Sequence, residues 1–449
     1  MSTTFETGIT SDTALDDTVF RKVFRRLMWF LFILLVVSFM DRINIAFAAL
    51  TMNKDLDLTA AAFGMSLTVF YAVYTVFEIP SNLALARFGA RLWIARIMIT
   101  WGIASAATMF AVGMWSLYGI RAVVGAAEAG FLPGILLYLT YWFPRSCRAR
   151  ANALFIMGIP ATIAIASTIS GIILQMHGFL GLAGWRWLFL LEGLPAVILG
   201  VVCLFYLDDG PERASWLTED EKGEIASRLE RDRALEQNPT TQRGILRQLG
   251  SRNVVLLSLA YFGLVTSLNA NSTWVPQIVH SFAHSASYSV IGLLTAVPAA
   301  LTVAVMPLWG MSSDRRNERD WHLRVAMLVA ALGWVLVISS DIATLRYLGL
   351  ILVSVGSFCG LLTFWTFPAS SAILSPEARP AGIALINSVG IGGGSAIGPL
   401  VIGYLKDLTG TFTSGLLYVV AMLVVAVICI VLVAGRTQMA TPRPSPRAA

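Results

Sequence analysis

The chain has 449 residues, of which 57% are hydrophobic and 13% charged, and a net charge of +6. Soluble globular domains carry about 25% charged residues. A water-soluble enzyme or nucleic-acid-binding domain is therefore excluded. The apolar runs are continuous for about 20 residues and do not alternate, so they predict an all-α polytopic membrane protein in a lipid bilayer rather than a β-barrel.

The first twenty residues are polar and acidic (Glu6, Asp12, Asp16, Asp17) and read as a disordered segment, 1–20. Arg21, Lys22, Arg25 and Arg26 then abut the first apolar run. No small-residue cleavage site follows a short apolar core, so that run is expected to stay as a helix. Twelve spans follow, at 24–50, 61–84, 92–113, 116–143, 150–174, 186–207, 254–280, 289–311, 323–341, 345–374, 380–405 and 414–434. Only Ser339, Ser340 and Asp341 separate the ninth from the tenth. The polar stretch 208–253 divides the chain into six-helix halves, 21–207 and 254–435, and 436–449 forms a tail. Within 208–253, Thr218 and Glu221 have the spacing of a capping box that opens a short amphipathic helix.

Of the 32 lysines and arginines, 26 fall in connections on one side of the membrane and four (Lys54, Arg186, Arg346, Lys406) on the other. The remaining two, Arg42 and Arg121, lie inside spans. This asymmetry places both termini and the central segment in the cytoplasm, and the protein in the cytoplasmic (inner) membrane. The basic turns Ala86–Arg91 and Gly310–Arg316 occupy matching places in the two halves. Two similar halves joined by a linker suggest parallel repeats about an axis along the membrane normal.

Asp41 and Arg42 sit side by side in an otherwise uncharged run from Leu27 to Leu50. A charge at the bilayer centre costs roughly 2.5–3.5 kcal/mol on insertion scales, so such residues face a cavity, a partner or a function. The fourth span carries Arg121 and Glu128, seven residues apart and so on one helix face, with Gly125 between them. At 1.5 Å per residue Asp41 and Arg121 lie at similar depths, and Glu128 is near the midplane. Two acids and two arginines can therefore converge on one cavity. A guanidinium there takes a carboxylate through its planar fork. If a substrate anion captures the arginine, the displaced acid is free to take up a proton.

Tyr74 in the second span, Asn269, Asn271, Thr273 and Trp274 before Pro276, Trp365 before Pro368, and Asn387 are neutral polar or aromatic groups suited to the other end of a ligand. The glycine-rich run Gly390–Gly398 lacks the Lys-Ser/Thr ending of a phosphate loop and reads as close helix packing. Cys147, Cys203, Cys359 and Cys429 are far apart, and the four histidines form no ligand cluster. No metal or cofactor is expected.

The twelve spans and the Gly310-xxx-Asp314-Arg315 turn resemble the major facilitator superfamily. More narrowly, the motifs Phe39-Met-Asp-Arg-Ile-Asn-Ile, Pro80-Ser-Asn, Arg121-x6-Glu128-Ala-Gly-Phe-Leu-Pro-Gly, Gly184-Trp-Arg-Trp-Leu-Phe-Leu-Leu-Glu-Gly193 and Trp216-Leu-Thr resemble its anion:cation symporter family. Asp41 through Met52, Glu128 through Thr140, Ile291 through Pro298 and Leu405 through Gly410 look most like 4-hydroxyphenylacetate permeases. The resemblance implies a monomeric, proton-driven importer of a small organic anion working by alternating access. It implies that Asp41 and Glu128 carry the proton, that Arg42 and Arg121 bind the anion, and that Tyr74 and Asn387 line the pocket. Arg87, Gly89, Arg91, Gly310, Asp314 and Arg315 would form the cytoplasmic gate motif. Two departures stand out. Ala86 occupies a position where the superfamily motif has Asp, and Phe155–Ala161 offers no amide where some sugar-acid relatives carry Gln. The drier pocket favours an aromatic acid over a sugar acid or dicarboxylate such as galactonate, glucarate, tartrate or phthalate. A drug antiporter is the further alternative.

Overall fold

The computed structural model describes residues 18–236, 247–316, 318–368, 374–375 and 378–440, with the backbone alone at 145–157, 233–236, 380 and 435–440. Most of the expected terminal segments 1–20 and 436–449, and the side chains of Cys147 and Phe155, lie outside this description. The first helix starts at Thr18, inside the segment expected to lack structure.

The first half contains α1 (Thr18–Asp55), α2 (Ala60–Phe88), α3 (Ala90–Ala107), α4 (Met114–Glu128), α5 (Phe131–Trp142), α6 (Arg145–Leu174) and α7 (Gly184–Tyr206). The connecting helix is α8 (Glu219–Glu236). The second half contains α9 (Arg252–Phe282), α10 (Tyr288–Arg316), α11 (Arg319–Ser339), α12 (Ala343–Phe364), α13 (Arg379–Val389), α14 (Ala396–Thr409) and α15 (Thr413–Ala440). Taking α4–α5 and α13–α14 as single passages, eleven are long and apolar enough to cross a membrane among the described residues. The helix α6, 30 residues long with an apolar Gly158–Leu174 section, stands where the fifth span was expected. The short break at residues 340–342 is real: α11 ends and α12 begins on either side of it.

Local chemistry explains the element ends. Thr59 caps α2, its hydroxyl accepting from Ala62 N at 3.1 Å. Gly89, at φ +91°, turns the chain from α2 into α3. The Thr218–Glu221 capping box is formed, with Thr218 N donating to Glu221 Oε2 at 2.9 Å and Glu221 N to Thr218 Oγ1 at 3.3 Å. Lys22 of α1 reaches the same carboxylate at 2.8 Å and ties α8 to the first half.

Among the described residues, the two halves share one buried cluster. Phe47, Phe63 and Trp185 of the first half share a buried cluster with Trp274, Ile291 and Ile402 of the second. A separate cluster at the arginine-rich end, including Phe20, Leu31, Trp142, Leu217 and Ile225, is built from the first half and the linker. Glycines make the joined end possible: a Cβ on Gly403 would lie 2.2 Å from the Ala60 carbonyl, and one on Gly64 2.6 Å from that of Pro399. Gly171 and Gly292 do the same for α6 against α10. Asp407 completes the contact, its carboxylate accepting from Ala60 N at 2.9 Å and Ala61 N at 2.7 Å at the start of α2. The halves are therefore closed together at the arginine-poor end.

Candidate functional site

Arg42, on α1, meets Glu128, the last residue of α4. Its Nη2 and Nε lie 2.7 and 2.8 Å from Glu128 Oε1. Glu128 is fully buried, and its Oε2 has no hydrogen-bond partner. Gly125 lets the helices approach: a Cβ there would fall 2.5 Å from the Phe70 carbonyl of α2. The expected continuous span 116–143 is broken directly after Glu128. Ala129 leaves the helical region and Gly130 adopts φ +84°. Pro133 in the first turn of α5 is compatible with a restart there. One carbonyl released by the break, that of Ala127, accepts from Arg96 Nη1 at 3.4 Å.

Asp41 points elsewhere. Neighbouring helix residues diverge by about 100°, and Asp41 is held by neutral donors: Asn44 Nδ2 at 3.0 Å, Trp101 Nε1 at 3.0 Å and the Ser105 hydroxyl. Arg121 is buried, with its carbon Cζ 5.6 Å from the Phe189 ring centre and Nε and Nη2 uncommitted. It lies within electrostatic reach of both Asp41 and Glu128. The four charges thus form one buried group in which only the Arg42–Glu128 pair is closed. The Tyr74 ring packs 5.4 Å from the Arg42 guanidinium.

A third buried carboxylate, Glu192 of α7, accepts from Ser170 Oγ at 2.7 Å and interacts with Asn44 and Asp41. Its Oε2 has no partner. Glu192 belongs to the Gly184–Gly193 motif and carries no expected role from the sequence. An ionisable group in the middle of an apolar run was the available signal.

Among the described residues, Arg42 is the one charged residue in the wall of a central cavity of about 170 Å³ between the halves. The polar wall is completed by Tyr71, Asn269, Ser272, Thr273 and Ser395. Tyr71 donates to Asn269 Oδ1 at 3.1 Å and Asn269 Nδ2 to Ser395 Oγ at 2.8 Å, linking the halves across the cavity. Ser395 ends a wide π-helical turn, Gly390–Ser395, between α13 and α14. The rest of the wall is apolar, including Phe39, Ile163 and Phe358.

Convergence on the cavity is narrower than the sequence suggested. Asp41, Glu128, Arg121 and Tyr74 stand behind the wall rather than in it. Asn271 is buried but outside the lining, because residues two apart on a helix are turned by about 200° and Asn269 takes the cavity side. Trp365 sits one layer back, 4.9 Å from the Tyr261 ring that lines the cavity. Asn387 is half-buried and also outside the lining.

The two basic turns differ. Arg87 lies against Phe88, and Arg91 N donates to Asp209 Oδ1 at 3.0 Å. Asp209, from the segment after α7, presses on Gly89 and supplies the carboxylate that Ala86 does not. In the other half, Asp314 is 3.5 Å from Arg319 across an exposed surface, and Gly310 faces Leu362. Arg315, at the end of α10, is exposed.

The model of the Major Facilitator Superfamily matches residues 31–373 and 257–449. The chain belongs to that superfamily. It is a membrane transporter, not an enzyme. A protein of Agrobacterium vitis with the provisional name tartrate transporter is 44% identical over 423 residues, covering 94% of this chain and 96% of that one. A quinolone resistance transporter of Acinetobacter baumannii is 35% identical over 400 residues, covering 89% and 91%. The crystal structure of a bacterial homolog of the human lysosomal transporter Spinster, inward-facing and unoccupied, shares the superfamily fold with a TM-score of 0.75 at 18% identity, covering 93% and 98% of the two chains.

Proposed function

We propose that this transporter is a proton-coupled importer of a small organic carboxylate, with its termini in the cytoplasm, acting as a monomer. The observation that carries the reading is the Arg42–Glu128 pair, closed at 2.7 Å behind a cavity into which, among the described residues, Arg42 alone brings charge. A substrate carboxylate that enters the cavity competes with Glu128 for the Arg42 fork. Glu128, losing its cation in a fully buried setting, takes a proton. Arg121, with two uncommitted nitrogens, offers Glu128 or the substrate a second cation. Asp41, within electrostatic reach of Arg121, completes the proton-carrying pair. Tyr74 keeps Arg42 oriented.

The neutral end of the substrate faces Tyr71, Asn269, Ser272, Thr273 and Ser395. One cation opposite a mixed apolar and hydroxyl-rich wall suits an aromatic hydroxy acid such as 4-hydroxyphenylacetate. Tartrate is the second reading, favoured by the name of the relative at 44% identity. A quinolone, itself an aromatic carboxylate, is a third test compound because of the relative at 35%.

Proteoliposomes with an imposed inward proton gradient decide among them. Accumulation of 4-hydroxyphenylacetate, competed poorly by tartrate, supports the aromatic reading; the reverse order supports the dicarboxylate. Outward quinolone movement driven by inward protons, without carboxylate uptake, would replace import by antiport. Uptake indifferent to the proton gradient would remove the coupling.

A further inference from the structure

A second cavity, of about 590 Å³, opens at the arginine-poor end of the bundle, where α9, α11, α12, α14 and α15 meet the end of α1. Four basic or ionisable nitrogen-bearing side chains line it: His280, His284, Arg346 and Lys406. Among the described residues, none that lines it is acidic. The sequence places only four lysines and arginines at this end, and two of them stand here with two of the protein's four histidines.

The nearby carboxylates are committed elsewhere. Asp407 turns to the backbone at the start of α2. Asp341 pairs with Arg346 at 3.0 Å, but its side chain is fully exposed, so solvent screens the pair. Lys406 has no carboxylate within ion-pair distance among the described residues. Its ammonium lies 4.0 Å from the Phe412 ring centre and 3.4 Å from Gln277 Oε1.

The cavity shares a helix, α9, with the central one. Asn269, Ser272 and Thr273 of α9 line the central cavity, and Gln277, His280 and Ser281 of the same helix line this one. Thr273 and Gln277 are about 6 Å apart along the helix axis. Between the levels Trp274 packs edge-on against Phe63, at 5.3 Å, and Phe412, at 5.6 Å. One aromatic layer thus separates two stacked cavities, and Lys406 stands on its far side.

Building on the reading of this protein as a carboxylate carrier, we infer that the cavity around Lys406 is a second anion site, which captures a small organic carboxylate before the aromatic layer parts. Lys406 supplies the central charge, and Arg346 with the two histidines supplies further donors. Opening the joined end separates Phe63 from Trp274 and passes the anion inward to Arg42.

The test compares uptake of 4-hydroxyphenylacetate and of tartrate into right-side-out and inside-out membrane vesicles. In right-side-out vesicles Lys406→Gln should raise the apparent KM about fivefold, at little cost in Vmax, with the difference shrinking in high salt. In inside-out vesicles its KM should stay at the wild-type value. Lys406→Arg should restore the wild-type KM, which separates lost charge from lost folding. Lys54→Gln, at the same end but outside the cavity, should leave KM unchanged on both sides. An unmoved KM in Lys406→Gln, an equal shift from both sides, or an equal effect of Lys54→Gln overturns the second site while the carrier reading stands. Transport of neither compound by the wild-type protein removes both.

Discussion

Each charged residue of the buried group has a distinct electrostatic setting, and substitutions should separate them. Glu128→Gln keeps a hydrogen-bond acceptor for Arg42 but cannot release a proton. A one-unit pH gradient can support about tenfold accumulation in a one-proton, one-monoanion cycle. The variant should fall to equal concentrations on both sides while retaining counterflow exchange in proteoliposomes; normal accumulation would remove Glu128 from coupling. Arg42→Lys replaces a fork with a point charge. Losing one charged hydrogen bond, about 1.4 kcal/mol, should raise KM about tenfold. Equilibrium binding of the substrate checks this, and an unchanged affinity would place the anion elsewhere. Glu192→Leu leaves the Ser170 hydroxyl without its acceptor and should destabilise the protein by about 1–3 kcal/mol, read by thermal unfolding in detergent.

At the scale of the element, the break between α4 and α5 decides where Glu128 ends up. Gly125 and Gly130 act for different reasons: the first lacks a side chain where α2 passes, and the second holds a positive φ. Gly125→Ala should cost about 1–3 kcal/mol by overpacking and weaken substrate binding, because it drives Glu128 away from Arg42. Unaltered binding and stability would show that the approach is not needed. The linker helix α8 makes a simpler case. The Lys22 ammonium and the Thr218 N–H hold the Glu221 carboxyl below its ordinary 4.5. Its contribution to docking α8 is therefore complete above that value and lost as pH falls through the lower, folded one. Hydrogen exchange in α8 should accelerate over that window, and Glu221→Gln should show the faster exchange already at neutral pH.

Across the whole molecule, the joined end stores the conformational preference. Asp407 caps α2 from the opposite half, so Asp407→Ala removes a contact that exists only while this end is closed. Loss of such a cap is worth about 1 kcal/mol, which shifts a two-state equilibrium about fivefold toward the open form. A cysteine placed at Leu67, in the central cavity, should then react faster with an impermeant maleimide added from the arginine-poor side. No change in rate would mean that the glycine-lined contacts hold the end closed without Asp407.

The linear chain determined the helical membrane class, its succession of long apolar passages and the superfamily. These follow from length, hydropathy and charge, which act locally and add up along each segment. It also singled out Asp41, Arg42, Arg121 and Glu128, conspicuous against their apolar surroundings, but not Glu192. Tertiary structure decided which acid pairs with which arginine, and that Asn269 rather than Asn271 faces the central cavity. It also revealed that Asp209 serves the turn that lacks an acid at Ala86, and that His280, His284, Arg346 and Lys406 share one wall. Such pairings depend on helix rotation and on where glycines let backbones meet. A rotation of one residue changes a side chain's direction by about 100° while leaving the hydropathy of the segment as it was.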